Sequence, residues 1–247
     1  MATGILAPLI MIIRPEPDHL LFITQPDHAR LAAEVMSAWR ADGLDDHPRR
    51  DTVLAAVRDH DNGWIEEDAE THVDTSGNPL DFVAVPPPVK HRIWPRAVAR
   101  IGEQRPYEAA LIAQHALSIH GQQRTDPIWS PFFLHIERLR AEMLARCEAD
   151  AGSTIDADYR FVQAGDQLSL VFCNGWRAPF ARAGGRILLN GTTLEVTPDP
   201  FEGVRVPLRV RARRIPARLY ASAADLRAAL DAAPLVIIEG EAAGHSH

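Results

Sequence analysis

Apolar residues recur at helical spacing along most of the first 175 residues of the chain. Such a stripe, with polar residues on the opposite side, is typical of helices that bury one face. The pattern covers residues 26–39, 48–60, 89–103, 106–120, 131–149 and 154–173. It predicts a mainly α-helical body, preceded by a short strand segment over residues 11–24.

The pattern of apolar and polar positions changes after Trp176. Asn190-Gly191 is typical of a tight hairpin turn. Apolar residues then alternate with arginines over residues 204–215, which is the period of a half-exposed strand. A short helix over 222–232 and a last strand over 235–238 complete the prediction of a small antiparallel sheet.

These two patterns predict a helical bundle with a small C-terminal antiparallel β appendage. We expect a helical, metal-binding domain over residues 1–176 and a β-rich region packed on it over residues 177–247. The end of the chain, residues 241–247, contains Gly-His-Ser-His and is expected to be disordered.

Two adjacent polar residues, His60 and Asp61, end the second helical stripe. The stripe also contains Val53, Val57 and Trp64, so both polar side chains are expected to point inward. An unpaired carboxylate is costly to bury. A divalent metal ion bound by the imidazole and the carboxylate would neutralise it; the alternative is a His-Asp pair at a helix end without a metal.

Further histidines and a late aspartate fall on the apolar faces of other helices. Each alone is explained by a hydrogen-bonded core residue, but helices that pack these faces together bring the side chains to one centre. Buried carboxylates and imidazoles together need a cation. The predicted ligands are His28, His60, Asp61, His91, His115 and Asp166. His120 ranks behind His115 because it lies about 140° further round the same helix.

The composition narrows the possible partners. The chain has 247 residues, is 46% hydrophobic, and carries a formal net charge of -7. A globular protein of this charge is not expected to bind nucleic acid or an anionic membrane as its main partner. Two cysteines form no disulfide framework, and no apolar run has transmembrane length. We expect a cytoplasmic protein with a small-molecule substrate, with a homodimer left open.

The order His, His-Asp, His, His, Asp along a helical chain resembles the HD-domain superfamily. The resemblance assigns the first His to His28, the His-Asp pair to His60 and Asp61, two added His to His91 and His115, and the last Asp to Asp166. Residues 163–168 look like the closing Ala-Asp-x-Leu motif of that superfamily, except that Gly165 stands next to the aspartate. The resemblance implies an HD-domain-like helical bundle.

The sequence also resembles DUF3891, an uncharacterised bacterial family, over about residues 11–240. The resembling stretches are residues 23–29, 60–64, 107–115, 166–170, 200–201 and 214–216. This resemblance implies a fold and a candidate metal site, and it names no substrate.

One or two divalent ions in such a site would support phosphoester hydrolysis on a small phosphorylated or nucleotide substrate, because a bound ion activates water and clamps phosphate. The resemblance to HD proteins, which are most often phosphohydrolases, favours this function. Asp61, His91 and His115 are the expected catalytic residues. The candidate substrate-binding residues are Lys90, Arg92, Arg96 and His120; the alternative for the three basic residues is a solvated helix face.

Two other functions stay open at this point. Some HD-type proteins with four His and two Asp hold two iron ions and oxidise a small organic substrate. If the metal only stabilises the fold, the chain would instead be a non-catalytic binding protein. The basic strand over residues 205–214 would then be the surface that contacts a partner. Iron, manganese, zinc, nickel and magnesium all suit these ligand types.

Overall fold

The computed structural model describes residues 11–182 and 184–245. Each of the six segments with helical spacing contains an α-helix. The helices are α1 (Gln25–Ser37), α2 (Arg50–Asp59), α3 (Pro87–Gly102), α4 (Pro106–Ile119), α5 (Ser130–Leu144), α6 (Ala151–Asn174) and α7 (Ala223–Ala232). The Thr24 side chain caps α1 by accepting a hydrogen bond from the Asp27 backbone N–H at 3.1 Å.

A single mixed sheet joins the two ends of the described chain. Its strands are β1 (Ile12–Pro15), β2 (His19–Ile23), β3 (Phe180–Arg182), β4 (Gly185–Asn190), β5 (Thr193–Thr197), β6 (Val206–Pro216) and β7 (Leu235–Gly244). They lie in the order β1-β2-β6-β7-β5-β4-β3. All neighbours are antiparallel except β5 and β7, which run parallel.

The expected mainly α-helical HD-like bundle with a small antiparallel appendage is therefore wrong. The protein is 47% helix and 20% strand, an α/β fold with a seven-strand mixed sheet. The N-terminal strands are part of that sheet because β2 pairs with β6, placing Phe22 opposite Arg213. The proposed domain division at residue 176 stays a prediction, and strands from both sides of it share this sheet.

The expectation of a disordered tail is wrong for residues 241–244, which end β7. There Ala242 pairs with Leu194 of β5 on one side and with Val206 of β6 on the other. A strand with neighbours on both edges has its backbone hydrogen bonds satisfied, which explains why these residues are ordered. Residues 246 and 247 of the expected tail lie outside the described residues, as do residues 1–10.

Helices α1 and α6 connect the sheet to the rest of the helices. Both contact strands, and both also pack against α2. Their apolar residues, such as Leu31, Val162 and Phe172, share one core with sheet residues such as Leu208. A second core fills the space between α3, α4 and α5 around Trp94. In the described part of the chain, no helix is both long enough and apolar enough to cross a membrane.

Candidate metal centre

Four of the six predicted ligands meet where α1, α2 and α6 pack together. His28 lies on α1, Asp166 lies on α6, and His60 and Asp61 follow the last residue of α2. One nitrogen or oxygen atom from each of the four lies within 4.8 Å of those of the other three. The structure therefore brings together four of the predicted residues in a cluster that could bind a metal ion.

The distances between these donor atoms suit one small divalent ion. His28 Nε2 lies 3.2 Å from both His60 Nε2 and Asp61 Oδ2. Asp166 Oδ1 lies 3.4 Å from the Nε2 atom of each imidazole. Two ligand atoms that each lie about 2.1 Å from one ion are about 3.4 Å apart in tetrahedral geometry and about 3.0 Å apart at the right angles of octahedral geometry. The four side chains thus fit a common ion.

Hydrogen bonds fix the orientation of both imidazole rings. His60 Nδ1–H donates to the Val57 carbonyl oxygen at 2.7 Å. Ser169 Oγ lies 2.7 Å from His28 Nδ1 and donates its own hydrogen to the Asp166 carbonyl oxygen at 3.0 Å, so it accepts from His28. Both Nε2 atoms are left facing the carboxylates, as in histidines that bind metals.

The cluster is strongly polarised. Burial opposes the charged form of His60, but the carboxylates of Asp61 and Asp166 outweigh it and raise the pKa of His60 to about 9. Burial likewise opposes charge on His28, yet hydrogen bonds with Asp166 and Asp61 raise its pKa well above the usual value. The two imidazoles in turn hold the pKa values of Asp61 and Asp166 well below the usual range despite burial. The two carboxylates therefore favour positive charge on the imidazoles that face them.

A glycine lets α6 approach close enough to contribute Asp166. A Cβ atom at Gly165 would lie 2.7 Å from Val57 Cγ1 on α2 and 2.9 Å from Met36 Cγ on α1. These separations are shorter than normal van der Waals contact. The glycine that distinguishes this sequence from the Ala-Asp-x-Leu motif thus stands at the crossing of the three helices that carry the ligands.

His115 adjoins the cluster but is not among its donors. It is buried on α4, with its ring centroid 4.9 Å from that of His60. Its Nδ1 lies 3.3 Å from the hydroxyl of Tyr159. Burial lowers the pKa of His115 to about 4, so the ring is neutral at pH 7. Its predicted role as a ligand or catalytic residue stays a prediction.

The structure does not bring His91 and His120 into the donor group. The His91 ring stacks on Phe132 at 5.3 Å and contacts Trp129 at 4.8 Å, both from the α5 region. His120 lies 4.6 Å from the same Trp129 ring and accepts a hydrogen bond at its Nε2 from Trp94 Nε1–H. Burial lowers the pKa of both histidines. They form a separate aromatic group.

The three basic residues expected to bind substrate have protein partners. Arg92 forms a two-point ion pair with Glu67, at 2.8 and 2.6 Å. Arg96 contacts both Glu67 and Glu66, and Lys90 donates to the Val83 carbonyl oxygen. Substrate contact by Arg92 or Arg96 would therefore require exchange of these acidic partners.

Two residues near the centre were missed from sequence. Ser169 orients His28, and its position three residues after Asp166 on α6 is a helical spacing that was available as a signal. Asp68 is a buried carboxylate with one oxygen that has no hydrogen-bond partner among the described residues. It lies in a connection without regular apolar spacing, so no sequence pattern marked it.

A separate cavity of about 730 Å³ opens near the starts of α2, α4 and α6. Its lining includes Arg49, Arg105, Tyr107 and Glu108, and it includes none of the four candidate metal ligands. The four candidate metal ligands therefore lie outside this cavity.

A comparison with known protein families finds a match over most of the chain. The model of the family described as "Protein of unknown function (DUF3891)" matches residues 11–217, which is well over half of the chain. The chain belongs to the DUF3891 family. The matched region contains all four donors and both β2 and β6. No curated protein and no solved structure matches the chain, and the resemblance to the HD superfamily finds no support in these comparisons.

Proposed function

We propose that this DUF3891 protein binds a divalent metal ion through His28, His60, Asp61 and Asp166 and uses it to hydrolyse a small phosphorylated substrate. The observation that carries the proposal is the convergence of the four donor atoms at mutual distances suited to one ion. The fixed orientation of both imidazoles supports it, because rings held in this way need little reorganisation to bind a metal.

Catalysis rather than a purely structural role is favoured by the uneven exposure of the ligands. The side chains of His28 and His60 are 0% exposed, whereas those of Asp61 and Asp166 are 9% and 11% exposed. Solvent therefore reaches the carboxylate side of the cluster. A catalytic metal site keeps a coordination position open for water or substrate, whereas a structural site is closed.

The chemistry follows from a metal with an open position. A divalent ion lowers the pKa of water and polarises a phosphoryl oxygen. The four side chains of the site would hold the ion, and a substrate would reach it from the side of the partly exposed carboxylates Asp61 and Asp166. The ion itself supplies the positive charge for a phosphate, since Arg92 and Arg96 are paired with glutamates. Imidazole and carboxylate ligands suit iron, manganese, zinc, nickel and magnesium.

The test begins with the metal content of protein purified without added metal or chelator. We expect about one divalent ion per chain for a site of this ligand number. The loaded protein should hydrolyse p-nitrophenyl phosphate or nucleoside monophosphates. Asp61→Asn should bind the metal at least roughly 10-fold more weakly and lose hydrolysis, while Asp51→Asn, which removes a charge from the exposed start of α2, should change neither.

Each failure has a distinct meaning. If Asp61→Asn keeps a full complement of metal, the ligand assignment is wrong. If the wild-type protein holds the metal but hydrolyses no phosphate ester, the metal centre stands and the hydrolase proposal falls. About two iron ions per chain with consumption of dioxygen would instead support an oxygenase, which needs additional ligands beyond the four brought together here.

A further inference from the structure

A buried carboxylate near the metal centre has an oxygen without a partner. Asp68 is 8% exposed and lies in the connection between α2 and α3. Its Oδ2 accepts a hydrogen bond from the backbone N–H of Gln25 at 2.8 Å. Its Oδ1 has no hydrogen-bond partner among the described residues. Leaving a buried polar atom unpaired costs free energy, so a ligand or water is expected at this oxygen.

Two elements that carry metal ligands hold Asp68 in place. Gln25, which donates to it, begins α1 three residues before His28. On the other side, the Trp64 N–H donates to the Asp61 carbonyl oxygen at 3.0 Å and the Asp68 N–H donates to the Trp64 carbonyl oxygen at 2.8 Å. The Trp64 indole N–H also donates to Asp61 Oδ1 at 3.1 Å, so the segment that carries Asp68 is tied to Asp61 by both backbone and side chain.

Electrostatics agree with this placement. Burial raises the pKa of Asp68 well above its usual value, and the nearby charges of Asp61 and Asp27 raise it further, while the charge of His28 acts on it in the opposite direction. A carboxyl group whose pKa is raised in this way exchanges protons closer to neutral pH than an ordinary aspartate does.

We propose that Asp68 is a further catalytic residue of this centre, whose free Oδ1 binds the attacking water and takes its proton. This inference rests on the proposed hydrolase function. As the water oxygen forms a bond to phosphorus, one of its O–H bonds breaks and the proton passes to Oδ1. The phosphorus–oxygen ester bond breaks on the opposite side of the phosphorus atom, and the departing oxygen takes a proton from solvent. Asp68 then returns the proton it took to solvent.

Asp68→Asn is the variant that isolates this role. The amide oxygen of asparagine still accepts the hydrogen bond from Gln25, so the local fold is kept, but the amide nitrogen in place of Oδ1 takes no proton. We expect unchanged metal content and a kcat for p-nitrophenyl phosphate that falls about 100-fold with little change in KM. The control is Glu70→Gln, which removes one charge from the exposed surface two residues further along and should leave kcat unchanged.

A second measurement decides the role of Asp68 without hydrolysis. The protein is loaded with Co²⁺ and its visible absorption is followed from about pH 5 to 10, which reports loss of a proton from water at the ion. In Asp68→Asn the midpoint should move down by about one pH unit, because a negative charge that opposes this loss is gone. An unchanged midpoint overturns the assignment of Asp68. A shifted midpoint in a protein whose wild type hydrolyses no phosphate ester supports Asp68 and overturns only the hydrolase proposal.

Discussion

His28 and His60 reach the same orientation through different acceptors, a serine hydroxyl for one and a backbone carbonyl for the other. Because the acceptor for His28 is a side chain, a single substitution can remove it. Ser169→Ala removes the acceptor of His28 Nδ1–H, so this buried N–H loses its partner and the ring is free to turn its other nitrogen toward the carboxylates. We expect metal affinity to fall roughly 10–100-fold, measured by competition with a chromogenic chelator.

Ser153→Ala is a matched control for that variant. Ser153 lies on the same helix and, like Ser169, donates its hydroxyl hydrogen to the carbonyl oxygen three residues earlier, that of Asp150. It is exposed and contacts no ligand. Equal losses of affinity in the two variants would mean that the effect comes from α6 and not from the orientation of His28.

Protons compete with the metal for the two imidazoles. In the metal-free protein the pKa of His60 is raised to about 9 by the carboxylates of Asp61 and Asp166, and the pKa of His28 is raised in the same direction. The contribution of His60 to the stability of the metal-free protein is complete below pH 6.5 and is lost as the pH rises through about 9. A metal ion needs both rings neutral, so its affinity should rise with pH up to about 9.

Calorimetry checks this pH dependence. Zn²⁺ binding at pH 7, measured in two buffers of different ionisation enthalpy, should show release of a proton from His60. A binding enthalpy independent of the buffer would contradict a protonated His60 in the metal-free protein.

At the scale of elements, the crossing of α1, α2 and α6 determines whether Asp166 reaches the other ligands. Gly165→Ala places a methyl group against Val57 and Met36. We expect urea denaturation to show a loss of roughly 1–3 kcal/mol in the free energy of unfolding, together with weaker metal binding. Gly152→Ala on the same helix has open space around its Cβ and should be neutral or stabilising by up to about 1 kcal/mol. Equal behaviour of the two variants would argue against the close crossing.

Helical periodicity predicted much of this element-level structure, and its limits are physical. It located α1 to α6 and showed that His28, His60 and Asp61 face inward, because a polar residue on an apolar stripe is visible in one dimension. It does not tell which neighbouring helix a face meets. His91 is on such a stripe, yet its ring packs on Phe132 of α5 and not beside the metal ligands.

The residues that sequence reasoning missed share a different cause. Asp68 lies in a stretch without a regular apolar spacing. Its burial and its hydrogen bond from the Gln25 N–H are seen only in the folded structure. The strand partners in the sheet were likewise not predictable from a local sequence pattern. The alternation in β6 was recognised, but its pairing with β2 joins residues nearly two hundred positions apart. No local pattern specifies such a partner, since alternation fixes which face is buried and not which strand is adjacent.

At the scale of the whole molecule, the helices that carry the candidate metal ligands depend on the C-terminal strands through the sheet. β6 lies between β2 and β7, and its residue Leu208 belongs to the same core as Leu31 of α1 and Phe172 of α6. A fragment of residues 1–176 would leave β2 without its β6 partner and would expose the apolar faces of α1 and α6. Exposed apolar area of this kind removes the main favourable contribution to folding.

We therefore expect the fragment of residues 1–176 to show no cooperative thermal unfolding by circular dichroism and no stoichiometric metal binding. Co-expression with a separate chain of residues 177–247 should restore both, because the missing strands can complete the sheet without a covalent link. The rescue distinguishes loss of the sheet from damage caused by truncation itself. A cooperative transition and bound metal in the fragment alone would instead establish residues 1–176 as an independent domain, with the C-terminal strands an addition to a centre that folds without them.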